Sequence, residues 1–208
     1  MQKKFKGILL YIKIYKENDL FVKFLSNNDE IITGVVYGGQ SKKKRNIFQL
    51  GFFLNFNVTL FANRPSSISA ELCTPFIAQI LNDKYKLNCI LSLISLINLS
   101  IIEGQKIDHI YSITDKFMNL MISNKNWISD YCLFLMNLLK IIGYEIRFNN
   151  NNLKYFDMQN LDFVDKKNNN CVLFPFELFD GKKKYINYGS INTVFSIFEN
   201  IFIKNHLS

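Results

Sequence analysis

The chain has 208 residues, 49% hydrophobic, 15% aromatic and only 20% charged, with 25 Lys and Arg against 17 Asp and Glu for a net charge of +8. So much apolar material builds one large domain or two small ones, and it excludes wholesale disorder, which needs a polar, highly charged chain. Eleven of the bases and five of the acids lie in residues 1–75, so most of the surplus sits in the first third and points to an anionic polymer or surface as partner.

Up to about residue 72 the apolar pattern has period 2. In Gly7–Tyr15, Ile8, Leu10, Ile12 and Ile14 alternate with Leu9, Tyr11, Lys13 and Tyr15, a strand with an apolar face and an aromatic-basic face. Strands are expected next at Leu20–Leu25 and Ile31–Tyr37, joined through the turn formers Ser26-Asn27-Asn28-Asp29. Phe52–Phe61 alternates Phe52, Leu54, Phe56, Val58 and Leu60 with Asn55, Asn57 and Thr59, and a fifth strand is expected at Ser67–Leu72. Five short strands with a Gly-rich, charged break at residues 38–45 suit a small closed barrel, since closure removes exposed edges.

After Thr74-Pro75, read as an N-cap and first helical residue, the period becomes helical. Helices are expected near Pro75–Leu81, Tyr85–Ile102, Asp108–Ile122, Trp127–Ile142 and Asn192–Ile203, with Gly143 ending the fourth as a C′ residue. The expectation is an α+β chain: a strand-built domain over 1–75, then an all-helical domain over 76–208 with an irregular insertion near 149–185. The tract Leu87–Ile102 contains Asn88, Ser92, Ser95, Asn98 and Ser100, too short and polar a run for a membrane span. The N-terminal pattern is interrupted by Lys13 and Lys16 and is no secretory signal. The cations lie on strands and a loop instead of a basic amphipathic helix, so no membrane-surface role is expected.

Cys73, Cys89, Cys132 and Cys171 are dispersed without a C-x-x-C pair, and only His109 and His206 could assist them; they read as small buried thiols in a reducing cytoplasm, and no metal or other cofactor is expected. No phosphate-loop or dinucleotide fingerprint occurs, and the acidic pair Asp162/Asp165 sits in a polar loop, so no enzyme activity is expected. The sharpest local feature is Lys42-Lys43-Lys44-Arg45, four cations that suit either a phosphate backbone or a solvated loop that keeps the protein soluble. Lys13 and Lys23 would add phosphate contacts while Tyr11 stacks on bases, the division of labour of single-strand-binding barrels. Lys182-Lys183-Lys184 reads as a turn, and Phe134, Leu138 and Ile142 as helix-bundle core that could otherwise line a partner groove.

Gly7-Ile-Leu-Leu10, Tyr15-Lys-Glu-Asn-Asp-Leu-Phe-Val22 and Glu30-Ile-Ile-Thr-Gly-Val-Val-Tyr-Gly-Gly39 with Ser41-Lys-Lys-Lys-Arg45 together resemble the N-terminal barrel of the bacterial recombination mediator family RecO. Phe48-Gln-Leu-Gly-Phe-Phe-Leu-Asn-Phe56 is similar to that family's next strand, Ser69-Ala-Glu-Leu72 to its last barrel strand, and Leu138-Leu-Lys-Ile-Ile-Gly-Tyr144 to a later helix end. The resemblance covers residues 7–75 best and fades after 145. It implies an OB-fold followed by helices, binding of single- and double-stranded DNA, and strand annealing. It further implies docking on the C-terminal tail of single-stranded DNA-binding protein and joint action with RecR in loading RecA. Alone, the protein would be a monomer of the cytoplasm, associated with the nucleoid. Many members carry a cysteine zinc knuckle after the Gly-aromatic pair; here Gly143-Tyr144 leads into Glu145–Asn152 without cysteine, and a member without zinc is expected. The competing expectation is an adaptor whose helical domain docks partner tails, with DNA contact incidental.

Overall fold

Residues 2–16 form one long strand, β1 (Gln2–Lys16), which the rest of the N-terminal sheet wraps around in the computed structural model; the described residues are 2–144, 153–179 and 187–206. Strands β2 (Asp19–Ser26), β3 (Ile31–Val36), β4 (Phe53–Thr59) and β5 (Ser67–Thr74) follow. β1 pairs with β4 over Gln2–Ile8 and with β2 over Gly7–Lys16, both antiparallel. β3 lies antiparallel to β2 and meets β5 in parallel at Val35 and Ser67, so the order β1-β2-β3-β5-β4 closes on itself as a barrel. Its interior stacks Phe24 on Phe56 at 4.3 Å between ring centroids, with Phe5 on Phe56 at 5.5 Å. Gly7 is required there: a Cβ would stand 2.6 Å from the Leu25 carbonyl oxygen and 2.8 Å from the Phe56 ring.

Strict alternation along β1 does not hold. Ile8, Leu9 and Leu10 are all buried, and the register skips from Leu9 opposite Phe24 to Tyr11 opposite Lys23, which leaves Leu10 as a bulge. The expected apolar face therefore ends early, and Ile14 is 64% exposed. Pairing with β4 stops at Ile8, so the outer part of β1 is flanked by β2 alone.

The expected helix start at Thr74-Pro75 is also corrected. Thr74 stays in β5, and Phe76–Gln79 makes only a 3-10 turn that places Phe76 6.1 Å from the Phe53 ring, with both rings buried. Burial of these apolar side chains outweighs continuation of the helix. The helix begins later, as α1 (Lys84–Ser100), where the Asp83 carboxylate accepts the Tyr85 and Lys86 N–H groups, both at 3.1 Å. α2 (Ile110–Ser123) and α3 (Trp127–Ile141) follow. α3 ends on Gly143 at φ 101°, with Tyr144 N–H on the Leu139 carbonyl and Gly143 N–H on that of Lys140, a Schellman closure. Contacts divide the chain into Met1–Met118 and Asn119–Ser208, so α1 falls in the unit of the barrel, whereas the sequence reading draws its boundary at 75.

In the first unit the turn between β2 and β3 is tied to the start of α2. Asp29, at φ 64°, accepts the His109 N–H at 3.1 Å and the Tyr111 N–H at 2.9 Å through its two carboxylate oxygens, and its carbonyl accepts the Ile107 N–H at 3.0 Å. The carboxylate thus caps a helix some 80 positions away in sequence.

The second unit is not all-helical. Within the expected irregular insertion lie β6 (Tyr155–Asp157), β7 (Asp162–Val164) and β8 (Cys171–Leu173), an antiparallel sheet in the order β7-β6-β8. Three residues per strand are too few for an alternating pattern to be read. Phe163 and Phe174 pack at 5.0 Å and Phe174 and Phe176 at 4.7 Å, giving this sheet its own aromatic core. Asp157, 2% exposed, accepts N–H groups from the Gln159 backbone at 2.8 Å and the Asn160 backbone at 3.1 Å, and from the Asn160 and Asn168 side chains, both at 3.1 Å. α4 (Tyr188–His206) packs on α3, whose Phe134 and Leu138 are buried.

Two outcomes follow. Asp29→Ala removes both cap bonds from a left-handed backbone position and costs about 1–2 kcal/mol in urea unfolding, with Asp29→Asn losing less; equal midpoints for wild type and Ala would refute the cap. The Asn160 N–H, then Asn168 and Gln159, hold the Asp157 carboxyl below its ordinary 3.8. Its stabilising contribution is therefore complete above that value and lost as pH falls through the depressed folded value. Thermal unfolding followed into acid should show a shallower loss for Asp157→Asn than for wild type.

Candidate nucleic-acid interface

Beyond Ile8 the outer part of β1 has β2 as its one strand neighbour, while β2 stays paired with β3 from Leu20 to Leu25, and Lys13, Ile14, Tyr15 and Lys16 are exposed. Cross-strand register sets Tyr11 opposite Lys23 and Lys13 opposite Phe21. These four, with Ile14 and Tyr15, line an open groove of about 430 Å³. Phe21 meets the Tyr11 ring edge-on at 6.5 Å, and the Lys23 ammonium lies over that ring at 5.5 Å. Tyr15 is 45% exposed and carries the Lys16 ammonium 5.6 Å from its ring centroid. Lys23 thus holds one side of Tyr11 as a cation over a π face, while Lys13 is exposed beside it.

Lys42, Lys43, Lys44 and Arg45 are all exposed in the long connection between β3 and β4, but they do not line this groove. The base of their loop is fixed to the hairpin turn that closes it. Gln40 donates its backbone N–H to the Asn18 carbonyl and its side-chain amide to the Glu17 carbonyl, both at 3.1 Å, and the Gly38 N–H reaches the Asp19 carboxylate at 2.9 Å. The Lys44 ammonium donates to the Tyr37 carbonyl at 2.8 Å, and Tyr37 is 43% exposed. The loop and the groove therefore meet at the tip of one hairpin.

A third segment reaches the same end of the barrel. The Ser66 carbonyl accepts the Val35 N–H at 2.8 Å, which sets the β4–β5 connection beside the last residues of β3. In that connection the Arg64 guanidinium stacks 3.6 Å from the Phe61 ring centroid, and Arg64 is exposed. Sequence reasoning passes over this pair: an isolated Arg three residues after a Phe carries no periodic or motif signal. Among the described residues Lys13, Lys23, Lys42, Lys43, Lys44, Arg45 and Arg64 form no ion pair with a carboxylate. Exposed cations such as Lys13 and Lys42–Arg45 can take phosphates, and the Tyr11 and Tyr15 rings beside Lys13 can stack on bases.

Elsewhere the reactive groups are dispersed. Cys89, Cys132 and Cys171 are buried, and burial pushes the Cys132 thiol up to about 12; Cys73, by contrast, is exposed, which corrects the expectation of four buried thiols. Cys73 lies in β5, whose burial pattern is mostly exposed near its C-terminal end. Burial, then Asp115 and Cys73, raises the Tyr111 hydroxyl to about 12. Asp162 turns its carboxylate to the Phe163 N–H at 2.8 Å, and Asp165 is exposed. Among the described residues no three His, Cys, Asp or Glu side chains gather as a metal site, and no helix is long and apolar enough to cross a membrane. Lys182, Lys183 and Lys184 lie outside the described residues. No family model and no curated protein sequence matches the chain.

Replacing Tyr11 and Tyr15 by Ala together should weaken binding of a single-stranded oligonucleotide by about tenfold or more while leaving its salt dependence unaltered, because no cation is removed. Fluorescence anisotropy over a salt series checks both numbers, and an unchanged affinity would rule out stacking in the groove.

Proposed function

We propose that this protein is a DNA-binding recombination mediator that acts without chemical turnover, holding single strands on its N-terminal barrel and promoting their annealing. The observation that carries the reading is the convergence of three segments on the end of β3: the hairpin groove with Tyr11, Lys13 and Lys23, the loop with Lys42–Arg45, and the stacked Phe61–Arg64 pair. The strand order and the closure of β4 onto β1 support an OB-fold, in which the β1–β2 and β4–β5 connections border the oligonucleotide-binding face. Phosphate neutralisation by the loop cations supplies affinity that falls with salt, and the aromatic groove supplies a grip indifferent to base identity. A positive surface that holds two strands lowers their mutual repulsion, and pairing follows.

The resemblance of residues 7–75 to RecO extends the proposal to cellular partners. In this reading the protein docks on the tail of single-stranded DNA-binding protein, RecR joins the complex, and RecA is loaded onto the uncovered strand in the cytoplasm, at the nucleoid.

The experiment is a binding titration of a fluorescent oligonucleotide across a salt series, for wild type and for the variant with Lys42, Lys43, Lys44 and Arg45 all changed to Ala. Four lost phosphate contacts should reduce the slope of log affinity against log salt by about 3 for a single strand. An unchanged slope removes the loop from the interface. Absence of DNA affinity at physiological salt, with retained capture of an acidic peptide ending in Phe, would replace the mediator by a protein-docking adaptor.

A further inference from the structure

The small sheet of the second unit is laid out as a metal ribbon would be. Structural zinc is commonly held by two short knuckles, each offering two ligands three residues apart from neighbouring strands. Here one turn starts at Asp157, closed by the Leu161 N–H on the Asp157 carbonyl at 2.8 Å, and the other spans 168–171, closed by the Cys171 N–H on the Asn168 carbonyl at 3.2 Å; each holds a pair of positions three residues apart, 157/160 and 168/171, and Asp157 is the register partner of Cys171 across β6 and β8. The Met158 N–H bonds to the Asn170 carbonyl at 3.0 Å, drawing the knuckles together. The four positions that would present ligands are Asp157, Asn160, Asn168 and Cys171, and the first three converge: both asparagine amides reach the same Asp157 oxygen, each at 3.1 Å.

These residues do not fit a zinc ion. Zinc needs four lone pairs from thiolate, imidazole or carboxylate groups, and here only Asp157 and Cys171 are of that kind. The asparagines also turn the wrong end inward. The Asn168 carbonyl oxygen is engaged by the Asn170 N–H at 2.8 Å, which leaves its NH₂ facing Asp157. The remaining Asp157 oxygen is filled by the Gln159 and Asn160 backbone N–H groups, at 2.8 and 3.1 Å. The polarity of a metal site is inverted: the centre is an anion, and its surroundings are N–H donors.

We infer that residues 155–173 form a metal-ribbon framework in which the Asp157 carboxylate, bonded to Asn160 and Asn168, replaces the ion as the link between the two knuckles. The link also serves a docking contact within this unit. The Met158 carbonyl, next to Asp157, accepts from the Asn200 amide at 3.4 Å and the Lys204 ammonium at 3.3 Å, both on α4. A ribbon fixed in this way holds its place on α4 without any dependence on metal supply. The inference stands apart from the DNA-binding reading, since none of these residues belongs to the barrel.

The test restores the missing ligands. The variant D157C/N160C/N168C, with native Cys171, should bind one equivalent of Co²⁺ with the intense thiolate-to-cobalt absorption of a tetrahedral four-sulfur site, and Zn²⁺ should displace it. A triple variant with wild-type helical circular dichroism and no cobalt band overturns the inference, as does one that stays unfolded when Zn²⁺ is supplied. Wild type provides the second measurement: its melting temperature should be unmoved by EDTA and its zinc content far below one per chain, and stoichiometric zinc in the wild-type protein would overturn the inference outright.

Discussion

A single strand that serves two partners sets the architecture of the first unit. β1 spends its first half against β4 and its second half against β2, and the sheet can close only because the strand changes direction between them. The bulge at Leu10 supplies that change by adding an unpaired residue and local twist. It buries Ile8, Leu9 and Leu10 in succession and releases everything beyond Ile12 to solvent. Closure and display are thus two results of one irregularity. The bulge marks the place where β1 passes from β4 to β2, and beyond it the exposed edge of β1, beside a β2 still paired with β3, carries the aromatic-basic groove.

The same closure decides which loops meet. β3 ends where β5 begins, so Val35 near its end donates to the Ser66 carbonyl, and just past that end Gly38 donates to the Asp19 carboxylate and the Tyr37 carbonyl accepts from Lys44. Like charges brought together in this way repel, and among the described residues Lys42, Lys43, Lys44, Arg45 and Arg64 form no ion pair, although Glu17 and Asp19 lie in the adjoining turn. The opposite end is spent on stability: Asp29 in the β2–β3 turn caps α2 with both carboxylate oxygens. One end of the barrel is committed to holding a helix and the other is left exposed.

Much of the first unit was legible because its strands are long enough to show their period. Phe52–Phe61 reads as a half-buried strand from its alternating asparagines, and Ser26–Asp29 reads as a turn from residues that bond their own backbone. Errors came where burial overrode a local signal. Thr74-Pro75 has the chemistry of a helix start, yet Phe76 takes its place beside Phe53 and the cap passes to Asp83. In the second unit, strands of three residues carry no period, and their stability rests on an aromatic cluster and one buried carboxylate drawn from scattered positions. The candidate site divides in the same way: Tyr11, Lys13 and the run 42–45 were visible as types and neighbours, whereas Phe61 with Arg64 was not.

The amino-acid sequence by itself determined the five-strand N-terminal sheet, the helices after it, the excess of positive charge near the start and the residue types able to meet phosphate and base. These depend on neighbours within a few positions, where backbone geometry ties pattern to structure directly. Only the tertiary structure decided that Lys42–Arg45, Arg64 and the Tyr11 groove share one end of a barrel, that Asp29 serves a distant helix, and that an aspartate stands at the centre of a ribbon. Each of these joins residues far apart in the chain, and the distance between such residues is set by strand register and closure, which no local pattern encodes.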